Sequence, residues 1–128
     1  LGLTLDTGAL IALERRNRRA VQLVGTTRRR GLRITVPAPV VVEWWRGQRG
    51  PVARLLDGLH VEPLDLELAK VAGEALAAAK GPSVVDAAVM ASAASRGDHV
   101  LTGDVADFDR LRRAFPSVRV LGLRDEGA

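Results

Sequence analysis

The chain of 128 residues contains no cysteine, so it can form no disulfide and offers no thiolate to a metal ion. A reducing cytoplasm is compatible with that composition. No apolar run approaches the ~18 residues of a membrane-spanning helix. Leu1 to Leu5 is too short for the core of a secretory leader. Neither a membrane association nor an export signal is therefore expected. No GxGxxG and no P-loop follows the first apolar stretch, which argues against a nucleotide-binding module. Repeats, low-complexity tracts and linkers are absent. Lysine is scarce: of 19 cationic residues only Lys70 and Lys80 are lysine, the rest being arginine.

What remains is the make-up of one folded domain spanning residues 1–128. Hydrophobic residues form 47% of the chain, enough for a buried core and too many for wholesale disorder. The net charge is +4. Arginine favours planar, bidentate contact with phosphate and carboxylate, so a polyanion such as RNA is a reasonable partner.

Apolar periodicity alternates between strand and helix. Leu3 to Asp6 is a first strand, followed by a short helix from Gly8 to Glu14. Ala20 to Arg30 is a second helix, with Arg28, Arg29 and Arg30 suited to its C-terminal dipole and Gly31 marking its end. Leu32 to Val36 is the second strand. Pro37 and Pro39 end it and open a helix through Val40-Val41-Val42-Glu43-Trp44-Trp45. A further helix is expected over Pro51 to Leu56, a third strand over Leu59 to Leu64, and a helix over Leu66 to Ala79. Val84 to Ser95 is apolar nearly all round and should be sandwiched in the core. Asp98 to Thr102 is the fourth strand, a helix runs from Asp104 to about Phe115, and Val118 to Leu121 is the fifth strand. Residues 122–128 read as a frayed tail. Such alternation implies an α/β fold, a parallel sheet with helices on both faces.

Four carboxylates stand where sites form in such sheets. Asp6 follows strand one, and Asp104 follows strand four. Glu43 lies in the helix after strand two, and Asp86 in the first turn of the helix before strand four. Asp107 is one turn beyond Asp104. Each has a structural reading as well. Asp6 and Asp104 are favoured helix N-caps, and Ser83-Val84-Val85-Asp86 fits a capping box. Glu43 interrupts bulky apolar residues, where an unpaired charge would be costly, so a partner is expected for it. Acids gathered at one edge repel each other unless a cation offsets their field. Oxygen donors without cysteine or histidine suit Mg²⁺ or Mn²⁺. His60 and His99 are set aside as strand-end residues.

Leu5-Asp6-Thr7-Gly8, Glu43-Trp44-Trp45-Arg46-Gly47, Val85-Asp86-Ala87-Ala88 and Leu101-Thr102-Gly103-Asp104-Val105-Ala106-Asp107-Phe108 together resemble the four acidic motifs of PIN-domain ribonucleases. Motif spacing is most similar to the VapC toxins of type II toxin–antitoxin modules, and the resemblance spans Leu3 to Leu121. Gly8 stands where the family often has serine, and Trp44-Trp45 is bulkier than usual. The resemblance implies a three-layer sandwich whose five parallel strands run in the order 3-2-1-4-5. It implies an endoribonuclease that needs Mg²⁺ or Mn²⁺. In that reading Asp6, Glu43, Asp86 and Asp104 are the metal-binding and catalytic acids, with Thr102 and Asp107 supporting them. Arg46 is a candidate substrate contact. Metal-activated water would attack the phosphodiester in line, leaving a 5′-phosphate and a 3′-hydroxyl. It also implies a tRNA or rRNA substrate, a homodimer, and a VapB-type antitoxin that places a cation among the acids, with Trp44 and Trp45 as candidate anchors. Two other readings remain. A haloacid-dehalogenase-type phosphatase needs a second acid where Gly8 stands. A non-catalytic basic domain binding RNA or protein would use its acids only as caps.

Overall fold

The computed structural model describes residues 2–124. The elements are β1 (Leu3–Leu5), α1 (Thr7–Glu14), α2 (Arg18–Arg29), β2 (Ile34–Pro37), α3 (Ala38–Trp44), a 3-10 helix (Ala53–Gly58), β3 (His60–Glu62), α4 (Leu66–Ala78), α5 (Val84–Arg96), β4 (His99–Thr102), α6 (Val105–Leu111) and β5 (Val120–Gly122). All neighbouring strands are parallel, in the order β3-β2-β1-β4-β5. The expected α/β fold and strand order are both found. The connection from β1 to β2 runs one way along the sheet and that from β3 to β4 runs back. Right-handed crossovers then put α1 and α2 on one face and α4 and α5 on the other.

Parallel strands covered on both faces are buried throughout, as β1, β2 and nearly all of β4 are. The helix α5 fills the centre of its layer: Ala87 to Ala93 are buried without a break. Four of those seven residues are alanines, whose small side chains let the helix lie close to β1, β2 and β4. Helix α4 covers it from outside with Ala72 and Ala75. Ser83 and the left-handed Gly97 (φ 71°) bracket α5.

Several boundaries differ from the sequence reading. Pro37 does not end β2 from outside; it is the last strand residue, in register with Glu62 and beyond Thr35, where the pairing with β1 stops. The helix expected over Pro51 to Leu56 is a 3-10 turn shifted to Ala53–Gly58. Pro63 cuts β3 to three residues, and α6 stops at Leu111. The tail reading fails at its start: Gly122 closes β5 and the Leu123 amide donates to the Thr102 carbonyl at 3.1 Å. Residues 125–128 lie outside the described residues.

A polar network missed by the sequence reading ties the sheet together on the α5 side. Asp98 is buried and accepts from the Gly2 amide (2.7 Å), Thr4 Oγ1 (2.8 Å) and Arg96 Nε (3.1 Å). Arg96 also pairs with Glu62 at the edge strand, and Glu62 accepts from Ser92 Oγ at 2.7 Å. The neighbouring Thr35 hydroxyl is buried, with no hydrogen-bond partner among the described residues. An unsatisfied buried hydroxyl is destabilising. Thr35→Val, which keeps the shape, is expected to stabilise the fold by about 1 kcal/mol in urea melts; a loss of stability would mean that the hydroxyl is satisfied.

Candidate active site

Strands β1 and β4 are neighbours whose connections leave in opposite directions, so a crevice opens beyond their carboxyl ends. Asp6 stands at the mouth of β1, and Thr102, Gly103 and Asp104 at the mouth of β4. The Asp6 amide donates to the Leu101 carbonyl at 3.2 Å, which extends the ladder by one residue and fixes the carboxylate over the edge. Gly8 lies against Gly103. A Cβ there would sit 3.3 Å from the Gly103 nitrogen and 3.6 Å from Asp6 Oδ1, so the glycine lets the two turns close on each other.

The two oxygens of Asp6 have different partners. Oδ1 accepts from the Ala9 amide at 2.7 Å and caps α1. Oδ2 accepts from Thr102 Oγ1 at 2.5 Å, and that hydroxyl in turn accepts from the Asp104 amide at 2.8 Å. Thr102 thereby couples the two acidic turns. Asp104 Oδ1 accepts from the Asp107 amide at 3.3 Å and caps α6. Asp86 Oδ2 accepts from the Ser83 amide at 3.1 Å in the expected capping box. Oδ1 of Asp86 takes no hydrogen bond among the described residues. Asp107 pairs with Arg110 at 3.1 Å. Its carboxyl is pushed above the ordinary range by loss of solvent, by its hydrogen bond with Asp104, and by the charges of Asp104 and Asp86, with Arg110 opposing.

Glu43 corrects an expectation. Val40 and Trp44 turn inward on α3 while Val42 is 81% exposed, and Glu43 shares that outer side. It is not a charge stranded among apolar residues and needs no buried partner. Its Oε1 accepts from Thr7 Oγ1 at 2.5 Å. Thr7 follows Asp6 directly, so this bond tethers α3 to the acidic edge. Thr7 stands in the first acidic motif but has no role of its own in the sequence reading; its signal there is a hydroxyl next to a strand-end aspartate. Helix α3 ends at Trp44, with Trp45 extended (φ −76°, ψ 126°). Arg46 is therefore in the following loop, exposed, and not a helical turn beyond Glu43. Trp44 is fully buried and its indole N–H donates to Glu14 at 2.8 Å, which leaves only Trp45, 46% exposed, as a surface anchor.

The structure thus joins Asp6, Thr102 and Asp104 by hydrogen bonds, places Asp86 within reach of the Asp6 charge, and tethers Glu43 through Thr7. Among the described residues no three carboxylates or imidazoles converge into a ready-made ion cage. That does not conflict with Mg²⁺ or Mn²⁺, which keep several waters and are held by one or two carboxylates together with substrate phosphate. The donor set is all oxygen, and its negative field is the kind a cation offsets.

A PIN domain profile matches residues 3–114 of the sequence. Solved structures similar to this chain include VapBC2 from Rickettsia felis bound to a DNA fragment from its promoter. That chain is 11% identical with a TM-score of 0.75, over 95% of this chain and 98% of that one. FitAcB from Neisseria gonorrhoeae is 21% identical with a TM-score of 0.70, over 94% and 97%. A toxin–antitoxin complex from Klebsiella pneumoniae is 16% identical with a TM-score of 0.68, over 98% and 99%. At these identities the likeness is one of fold. No curated protein matches the sequence.

Asp6 is 6% exposed. Its carboxyl is raised from 3.8 to about 6, above all by burial, and further by the charge of Asp86; the bonds from Thr102, Ala9 and Gly103 oppose the rise. A carboxyl with a raised folded-state pKa favours folding while protonated. That contribution is complete below pH 3.8 and is lost as pH rises through about 6. The ionised form is then disfavoured by on the order of 3 kcal/mol. In EDTA, the stability of the wild type relative to Asp6→Asn is expected to fall as pH rises from 3.8 to about 6 and to level off above that. Denaturant melts at matched pH check this; a flat difference would contradict the burial of a charge at Asp6.

Proposed function

Because the chain belongs to the PIN-domain family, we propose that it is a metal-dependent endoribonuclease acting as a VapC-type toxin. The observation that carries this reading is the buried Asp6 carboxylate, joined through one hydroxyl to Asp104 and lying in the field of Asp86. Asp6, Glu43, Asp86 and Asp104 would hold Mg²⁺ or Mn²⁺, which when bound supplies positive charge to a phosphodiester and acidity to a water. Thr102 holds Asp6 Oδ2 in place, and the cap on Ala9 holds Oδ1. These bonds fix the direction of the carboxylate before any substrate arrives, and preorganised charge is effective because it does not reorganise during reaction. Thr7 restrains Glu43. Asp107 supports from the next turn, and Arg46 is an exposed cation available to phosphate. No serine, cysteine or histidine nucleophile is required.

Two partners belong to the same reading. A VapB-type antitoxin would neutralise the acids with a guanidinium or ammonium, and the Klebsiella pneumoniae neighbour is a toxin–antitoxin complex. A second copy of this chain is the occupant we assign to the apolar groove that the exposed Val42 and Leu64 line. The groove, of about 430 Å³, is lined besides by Ala38, Pro39, Glu43, Pro63 and Val85. Contiguous exposed apolar residues of this kind mark association surfaces. No helix among the described residues is long and apolar enough to cross a membrane.

Cleavage of tRNA or rRNA is expected with Mg²⁺ or Mn²⁺ and not with EDTA. Asp6→Asn, Glu43→Gln, Asp86→Asn and Asp104→Asn should each lower the rate by on the order of 100-fold. Thr102→Val should lower it by about tenfold, as loss of a ligand's supporting bond does, and Asp107→Asn by less than the four acids. Sequencing of RNA ends from wild type beside Asp6→Asn reads both rate and site. Undiminished cleavage by metal-stripped protein would refute the metal mechanism. Binding of RNA with no cleavage in any metal would favour a non-catalytic basic domain whose acids only cap helices.

A further inference from the structure

Two adjoining concavities lead away from the acidic edge toward the start of α2. The first, about 450 Å³, is lined by Thr102, Gly103, Asp104 and Arg124. The second, about 270 Å³, is lined by Arg18, Arg19 and Gln22. Asn17 and Leu123 line both, so the two form one shelf. Its far wall is fixed: Arg19 Nε donates to the Gly122 carbonyl at 2.6 Å, stapling the start of α2 to the end of β5. Asn17 Oδ1 accepts from the Ala20 amide at 3.1 Å, which leaves its Nδ2 donor for the shelf.

The arginines of this chain are not equivalent. Arg28 donates to the Gly58 carbonyl at 2.8 Å and Arg29 to Thr26 at 3.1 Å, so both have structural partners. Arg30 lines a concavity with Gly2 and His99, at the amino ends of the strands and away from the acids. Arg18 is exposed, and its side chain makes no hydrogen bond or ion pair among the described residues. It stands on the shelf that begins at Asp104.

We propose that the shelf from Asp104 to Arg18 carries the RNA strand flanking the cleaved bond, with the Arg18 guanidinium on a backbone phosphate. This rests on the ribonuclease reading for its substrate class. The acidic end of the shelf repels a polyanion; Arg124 on its rim and Arg18 at the other end supply the compensating attraction. No aromatic side chain lines either concavity, so base stacking, the usual source of sequence-tolerant base contact, is absent there. The strand is held by its sugar–phosphate backbone, and binding on the shelf is indifferent to base identity.

The test uses the full chain in EDTA, where no cleavage interferes. Anisotropy of a labelled single-stranded octaribonucleotide is measured against salt for wild type, Arg18→Gln, Arg18→Lys and Arg30→Gln. Arg18→Gln is expected to weaken binding about fivefold to tenfold. It should also reduce the slope of log affinity against log salt by about 0.7, the share of one phosphate contact on a single strand. Arg18→Lys should restore the slope, Arg30→Gln should match wild type, and oligo-A and oligo-U should bind alike. Equal behaviour of Arg18→Gln and wild type, or an equal loss in Arg30→Gln, would overturn the proposal. So would the absence of measurable binding by wild type. Cleavage in Mn²⁺ separates the two claims. An Arg18 effect in a protein that cleaves nothing leaves the shelf standing without the ribonuclease reading. Cleavage without an Arg18 effect leaves the ribonuclease reading standing without the shelf.

Discussion

The bond from Thr102 to Asp6 is the interaction on which the site depends. A carboxylate at the end of a central strand is shut off from water, and burial alone disfavours its charge. Thr102, the Ala9 amide and the Gly103 backbone together recover part of that loss. They do so in fixed directions, because one partner begins a helix and the other ends a strand. The same threonine accepts from the Asp104 amide, so the geometry of β4 sets the position of both acids. Gly8 and Gly103 make the arrangement possible by allowing the two turns to touch.

Capping and chemistry are not rival explanations here. Asp6 and Asp104 each cap a helix with one carboxylate oxygen, and Asp86 uses one of its own to close the capping box that Ser83 opens on α5. A cap fixes the side chain, and helix N-termini stabilise negative charge. Three negative groups can thereby be held near one crevice in a folded protein. What the caps do not remove is the mutual repulsion, seen in the upward pressure that Asp86 exerts on Asp6 and that Asp104 and Asp86 exert on Asp107. That residual field is the physical basis for expecting a cation, whether a metal ion or an arginine of a partner.

Much of this was legible in the sequence because it is local. Strand-to-helix junctions are marked by an acid at the end of a short stretch rich in aliphatic residues, as at Leu3-Thr4-Leu5-Asp6 and Val100-Leu101-Thr102-Gly103-Asp104, and the buried phase of α5 shows in its run of alanines. The sheet order followed from the family resemblance, not from periodicity. The environment of Glu43 was not legible, because the apolar residues on either side of it, Val40 to Val42 and Trp44-Trp45, hide which side of α3 meets the core. Packing of Val40 and Trp44 decided it, leaving Val42 outside. Links between distant residues carry no local signal either. Thr7 and Glu43 are 36 positions apart, and Arg96 and Glu62 are 34 apart. Asp98 read as the first residue of a strand and proved to be the hub of a buried network.

The central claim is that the acids form a repulsive set which a divalent cation relieves. Matched melts of wild type and Asp6→Asn, in EDTA and in saturating Mn²⁺, test it most directly. Asparagine keeps a cap on Ala9 and a polar contact with Thr102 while removing the charge, so the account predicts that the variant is more stable than wild type in EDTA. It also predicts that Mn²⁺ raises the melting temperature of wild type and leaves the variant nearly unmoved, since a ligand stabilises only the fold that binds it. A variant less stable in EDTA, or equal Mn²⁺ shifts in both proteins, would contradict it.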